Sequence, residues 1–463
     1  MGLPDLTKPL DLNQPTAQPF MERVQGGILK GHDRYHSAQI FITFGGDIAA
    51  ARKWIAGKVV PRLTTAARQA AQAKAWKAKR DPGEPFFAFF LSYQGYVRLG
   101  IADAATPADP YFRAGMKSAP AGADNVVTDP PPSRWEPGFR GRIDAMMLIA
   151  DDDPARRDAA VTALTAELAP ISERTFVERG DQLTFDFGGG RAKVEIEHFG
   201  HQDGISQPRM IKQDADAEVA KRGGKNWEPS APLSLGFVAE PGGTEQFGSY
   251  LVFRKLGQNV KAFRTARDGL AAALGVGVED AAALAVGRFR DGRPVLPTTV
   301  VQAGADANDF SFKSDKDAKQ CPYQAHIRKT NPRGDLAAFI PEQTDASERA
   351  LRILRRGITF GERPDLVPGS TLPAPESGVG LLFMCCQSRP IQFVIQQEGA
   401  DGNDFVKQSV GPDATLGNTA AGTAQQWPLN GNPAAASFLM SNFVTMLGGE
   451  YFFAPSPSFL GSL

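Results

Sequence analysis

Three cysteines stand in 463 residues, Cys321, Cys385 and Cys386. They are too few for a disulfide framework, and their spacing fits neither a zinc site nor an iron–sulfur cluster, so a reducing compartment is expected. Net charge is absent as well. The 51 Lys and Arg are cancelled by 51 Asp and Glu, which argues against nucleic acid or an anionic membrane as the main partner. No apolar run reaches the length of a membrane span. The opening Met1-Gly2-Leu3-Pro4-Asp5 carries neither a basic-then-apolar leader nor twin arginines, so a cytoplasmic location is expected. Histidine is scarce too, at five, which makes each one informative.

What the chain does have is a globular composition, 42% hydrophobic, enough for a substantial core. Its 48 glycines and 35 prolines imply many turns and long surface segments. The first twenty residues read as a loose arm. Residues 38–45 read as a strand, and 48–79 as an alanine-rich helix interrupted at Pro61. The aromatic run at 86–93 reads as a strand covered on both faces, and 101–140 as loop. A strand at 143–150, a helix at 154–168 with Pro at its first turn and a strand at 171–178 follow. The order is βαββαβ, a ferredoxin-like unit with an antiparallel sheet and helices on one face. Its bare face needs a partner, and a second such unit is the economical one.

The second half reads the same way, with strands at 249–256, 380–387 and 451–454 and helices at 259–274 and 278–290. Periodicity leaves 391–397 open between helix and strand. Long insertions at about 205–245, 291–350 and 399–440 exceed ordinary connections, and such loops are usually functional. The fold class expected is α+β: two ferredoxin-like domains with antiparallel sheets and long insertions. The boundaries are an arm over 1–20, a first domain over 21–190, a linking segment over 191–245 and a second domain over 246–463.

Several residues carry possible chemistry. Gly200-His201-Gln202-Asp203-Gly204 follows an alternating run, and its glycines permit a tight turn that delivers Asp203 beyond the strand end. His326 has no histidine or acid three or four residues away, which makes a poor zinc site but a sound single axial ligand to haem. Arg328, Lys329 and Arg333 nearby suit paired carboxylates, or a solvated basic loop. Arg355, if it points inwards, needs an anion or a cofactor beside it. In the apolar stretch 380–387, Leu381 and Phe383 share one face and can wall a pocket. Cys385 and Cys386 read as core thiols, with haem ligation open in principle.

Separated pieces resemble the dye-decolorizing peroxidases together and in order. These are Val24-Gln25-Gly26-Gly27-Ile28-Leu29-Lys30-Gly31-His32, Gly200-His201-Gln202-Asp203-Gly204, Ala325-His326-Ile327-Arg328-Lys329-Thr330-Asn331-Pro332-Arg333, Arg355-Arg356-Gly357-Ile358-Thr359-Phe360-Gly361 and Gly380-Leu381-Leu382-Phe383. The long insertions are similar to the larger class of that family. The resemblance implies haem b held mainly by the second domain, with His326 as proximal iron ligand, Asp203 as distal acid–base residue and Arg355 as distal arginine. Leu381 and Phe383 become distal wall, Arg328 a propionate contact, and Asp413 the acidic partner of the proximal histidine. Family members more often carry an aromatic or small residue where His201 and Gln202 stand.

The implied activity is reduction of hydrogen peroxide with one-electron oxidation of dyes, phenols or other small aromatic donors, by way of a ferryl haem and a porphyrin radical. Bulky donors would pass electrons through surface residues or at a propionate edge, with Tyr323 and Trp427 the first candidates. No nucleic acid or membrane partner is expected, and the oligomeric state stays open.

Overall fold

The computed structural model describes residues 2–118, 128–188, 192–243, 245–298, 307–367, 369–406, 408–419 and 423–463. Parts of the expected loops at 101–140, 205–245, 291–350 and 399–440 thus lie outside the described residues. Ten strands form a single antiparallel sheet. They are β1 (His36–Phe44), β2 (Phe86–Leu91), β3 (Ala145–Asp151), β4 (Ser172–Asp181), β5 (Val238–Ala239), β6 (Phe247–Gln258), β7 (Leu354–Arg355), β8 (Ile358–Phe360), β9 (Gly380–Gln387) and β10 (Val444–Ala454).

The path runs β8-β9-β6-β10-β2-β3-β1-β4, with β5 paired to β6 and β7 to β9. Each half repeats one order: second strand, third, first, fourth. The fold is α+β, as the pattern implies. The two halves share one sheet, joined where Phe453 pairs with Leu91.

The main helices are α1 (Ala66–Lys79), α2 (Pro154–Leu168), α3 (Val260–Leu274), α4 (Val278–Val286), α5 (His326–Thr330) and α6 (Ile391–Asp401). Their starts are written locally. The side chains of Thr65, Asp153 and Asn259 accept backbone N–H bonds from Arg68, Ala155 and Ala262. Pro61 falls in a short 3-10 turn between the helix Ile48–Trp54 and α1, where its missing N–H does least harm. The ambiguous stretch at 391 is helix α6.

Alternate strand residues feed opposite faces. Ile40, Ile42 and Ile149 pack with Val161, Leu164 and Leu168 of α2, and Val252 and Cys385 with Phe393 and Val394 of α6. The other face turns inward on itself. Phe41 of β1 and Phe253 of β6 come from different halves, yet their rings lie 4.9 Å apart, and Phe176 stacks on Phe41 at 4.7 Å. The buried Phe41 and Phe253 rings each contribute about 1.5–3 kcal/mol. The curl brings the outer edges together, where the Thr359 hydroxyl donates to the Asp181 carbonyl at 2.6 Å. The face without helices packs against the other half of the sheet.

Three readings need correction. The N-terminal arm is bound rather than loose: Leu10 is buried, its N–H donates to the Met210 carbonyl, and Lys8 accepts from Leu233. The last strand starts at Val444 rather than 451, because a register shift at Met446/Gly448 breaks the alternation. Gly448 has φ 155°, and a Cβ there would stand 2.2 Å from Phe139. The insertions also carry structure of their own, including the helix Lys212–Arg222 and the hairpin Gln425–Leu429 with Asn432–Phe438.

Candidate active site

One cavity is lined by His201, Asp203, His326, Arg355, Leu381 and Phe383 together. These residues are up to 182 positions apart, from His201 to Phe383, and three structural devices gather them.

The first device is the turn after the 194–195 strand. Gly200 at φ 102° and Gly204 at φ 74° take left-handed conformations that a side chain would strain. Asp203 sits between them, and its Oδ1 accepts the Gly204 N–H at 2.6 Å. Glu197 anchors the same turn. Its Oε2 accepts from Phe199 N–H and Gln258 Nε2, and its Oε1 from His201 N–H. Burial opposes its ionisation, but these bonds and the His201 ring hold its pKa at about 2. Both ring nitrogens of His201 are buried without a hydrogen-bond partner among the described residues.

The second device is the two-residue strand β7, paired through Cys385↔Arg355. Successive side chains on a strand point to opposite sides, and the two arginines obey this. Arg355 reaches the cavity, with Nη1 3.6 Å from Asp203 Oδ1 and Nη2 donating to the Ile205 carbonyl at 2.8 Å. Arg356 points the other way and donates to the carbonyls of Gly27, Ile28 and Arg355. The glycine-rich N-terminal motif is thereby tied to the arginine pair.

The third device is α5. His326 opens it, and its Nδ1 lies 2.8 Å from Asp413 Oδ2. The other Asp413 oxygen accepts from Thr415 N–H, Thr415 Oγ1 and Leu416 N–H, so the carboxylate is fixed. Burial lowers the His326 pKa, and the Asp413 charge and hydrogen bond outweigh it, holding the imidazole above its ordinary value. Nε2 has no hydrogen-bond partner among the described residues. Lys329 docks the helix on α6 by donating to the carbonyls of Gly399 and Gly402.

Arg328 does not line the cavity. It is fully buried, donating twice to Asp335, once to Asp315 and again to the carbonyls of Cys321 and Asp315. It braces the loop that carries His326, and the expected propionate contact is corrected on that ground. On a helix, two residues are separated by about 200°, so His326 and Arg328 face opposite ways.

Four other buried arginines line the cavity: Arg254, whose guanidinium pairs with Asp129, and a set of three, Arg288, Arg333 and Arg352. Arg288 and Arg333 share the Asn308 Oδ1 and Ser206 Oγ acceptors, and Arg352 donates to the carbonyls of Glu228 and Ser230. Among the described residues none of the three makes an ion pair with a carboxylate. Burial, then the Arg355 charge, lowers Arg288 to about 9, and burial, then Arg349, lowers Arg352 to about 10. Buried cations held only by neutral acceptors favour an anion beside them. Only Arg333 of these was singled out from sequence, because Arg288 and Arg352 lie in no motif.

The donor set fits a haem: one free imidazole nitrogen, an apolar wall at Leu381 and Phe383, and a basic rim for two propionates. Cys385 and Cys386 do not line the cavity, and burial pushes both thiols up, against thiolate formation. No group of three or more metal-binding side chains occurs among the described residues. Among them, too, no single helix is long and apolar enough to cross a membrane.

Comparison with known proteins was made for sequence and for structure. No family model matches the chain. The multifunctional dye peroxidase DyP2 of Amycolatopsis sp. is 38% identical over 481 residues, covering 99% of each chain. The dye-decolorizing peroxidase msp1 of Mycetinis scorodonius is 29% identical, over 94% of this chain and 86% of its own. The crystal structure of a DyP-type peroxidase from Anabaena sp. matches with a TM-score of 0.89 at 37% identity, over 100% of this chain and 98% of that one. Similarity of this extent in sequence and in fold makes the chain a haem-binding, peroxidase-type enzyme that belongs to the dye-decolorizing peroxidase family.

Proposed function

We propose that this enzyme reduces hydrogen peroxide and oxidises phenolic, dye-like or other small aromatic donors one electron at a time, using haem b bound in the cavity. The observation that carries the residue assignments is the meeting of His326, Asp203 and Arg355 in that cavity. When bound, haem supplies an iron that takes up peroxide and holds oxidising equivalents for the donors to remove.

His326 offers Nε2 to the iron, and Asp413 keeps the proton on Nδ1, which makes Nε2 a stronger donor. Asp203 stands in the cavity where it would accept a proton from peroxide and hand it back, as general base and then general acid. Arg355 is held by the Ile205 carbonyl and faces Asp203, where its guanidinium stabilises the charge that develops on oxygen. Arg288, Arg333 and Arg352 bind the propionates. Leu381 and Phe383 exclude water from the reacting oxygens.

The repeated strand order supports two ferredoxin-like units, with the second, over 246–463, supplying His326, Arg355, Leu381 and Phe383. The segment over 191–245 brings Asp203.

The test is stopped-flow mixing of the haem-loaded enzyme with peroxide, beside Asp203→Asn and Arg355→Leu. The expected result is slowing by about 10²–10⁴-fold for Asp203→Asn and about 10²–10³-fold for Arg355→Leu, with the resting spectrum unchanged. Equal rates in all three proteins overturn the assignment.

A further inference from the structure

Trp227 and Phe310 come from two of the long insertions. Neither ring lines the cavity, yet each packs against guanidiniums that do. Arg333 lies over both rings, its Cζ 4.0 Å from the Trp227 centroid and 4.0 Å from that of Phe310. Arg352 lies over Trp227 at 5.3 Å, and Arg288 over Phe310 at 5.3 Å. In order of contact the set alternates cation and ring: Arg352, Trp227, Arg333, Phe310, Arg288.

Three consecutive residues assemble it. Asp309 Oδ1 accepts the backbone N–H groups of Asn226 and Trp227 at 2.7 and 2.9 Å, which fixes one ring beside the other. Asn308 Oδ1 is the acceptor shared by Arg288 and Arg333, and the carbonyls of Asn308 and Phe310 both accept from Arg333 Nη1. Buried guanidiniums this close repel one another. Burial, then the charges of Arg288 and Arg352, hold the Arg333 pKa well below its ordinary value. The negative face of an aromatic ring steadies a cation without neutralising it, whereas a carboxylate partner would compete with an incoming anion. Trp227 is buried, and its indole N–H has no hydrogen-bond partner among the described residues. A buried tryptophan usually finds one, so this ring is placed for its faces rather than for its edge.

We propose that Trp227 and Phe310 are positioning residues of the propionate site, whose ring faces hold Arg288, Arg333 and Arg352 in place and unneutralised for the two carboxylates of haem. The inference rests on those three arginines being the propionate contacts.

The test compares haem with its dimethyl ester, which keeps the iron and the macrocycle but carries no propionate charge. Each is titrated into the full-length chain freed of haem, for the unsubstituted protein and for Trp227→Leu, Trp227→Phe and Phe310→Leu. The unsubstituted protein should prefer haem to the ester by at least about a hundredfold, from two lost charge-assisted contacts. Trp227→Leu and Phe310→Leu should each narrow that ratio about tenfold, mainly by weakening haem, while Trp227→Phe, which keeps an aromatic face, should retain most of it. Either leucine variant alone suffices if the other does not fold. Haem and ester weakening in parallel, or a ratio as low in Trp227→Phe as in Trp227→Leu, overturns the proposal. A ratio near one in the unsubstituted protein defeats the propionate assignment as well, whereas a large ratio unchanged in the variants defeats the role of the rings alone.

Discussion

His326 Nδ1 lies 2.8 Å from an Asp413 oxygen, and Asp413 is itself held by three donors from Thr415 and Leu416. The imidazole is therefore oriented before any ligand arrives. Asp413→Asn keeps the shape and removes the charge. Haem affinity or turnover should fall about 10–100-fold, and the iron reduction potential should move positive. Haem titration and spectroelectrochemistry check both.

Arg288 separates cofactor binding from folding. It is a buried cation without a carboxylate partner among the described residues, and Arg333 shares two of its acceptors. Arg288→Met should change haem-free stability by less than about 1 kcal/mol. Haem binding should weaken at least about tenfold, from loss of a charge-assisted contact to a propionate. Denaturant titration of the haem-free protein and a haem titration together decide.

Arg356 joins the N-terminal motif to the distal arginine. Arg356→Met leaves the carbonyls of Gly27, Ile28 and Arg355 without that donor, and should cost about 3 kcal/mol of stability. Arg356→Lys should recover little, since an ammonium does not match a guanidinium's fork. Urea unfolding measures the loss, and slower peroxide reaction should accompany it.

Glu197 gives an acid-side signature. Its folded pKa of about 2 lies below its ordinary value of 4.5. A depressed carboxyl contributes stability that is present above the unfolded value and lost as pH falls through the folded one. Unfolding free energy should therefore drop more steeply between about pH 4.5 and pH 2 in the native enzyme than in Glu197→Gln. Parallel slopes in chemical denaturation across that range would refute the assignment.

Legibility in the sequence followed locality. Strands β1, β2, β3 and β9 are apolar runs that announce themselves, whereas β7 and β8, of two and three residues, are too short for any period to show. The first part of β10 hid behind Gly448-Gly449, where a Cβ on Gly448 would collide with Phe139 and one on Gly449 with the Phe253 carbonyl and Met116. Asp203, His326 and Arg355 stood out because each sits in a motif string. Arg328 misled because proximity along the chain to His326 was read as proximity to the cavity, while helical rotation turns it away.

By itself the sequence determined the α+β class, the repeated strand–helix order and the strings around positions 203, 326 and 355, because each depends on residues within a turn or two of one another. Tertiary structure decided which arginines face the cavity and that Asp413 rather than another acid meets His326. Those are contacts between segments separated by up to 152 positions, as for Asp203 and Arg355, and they come from the curling of one sheet, which no local pattern encodes.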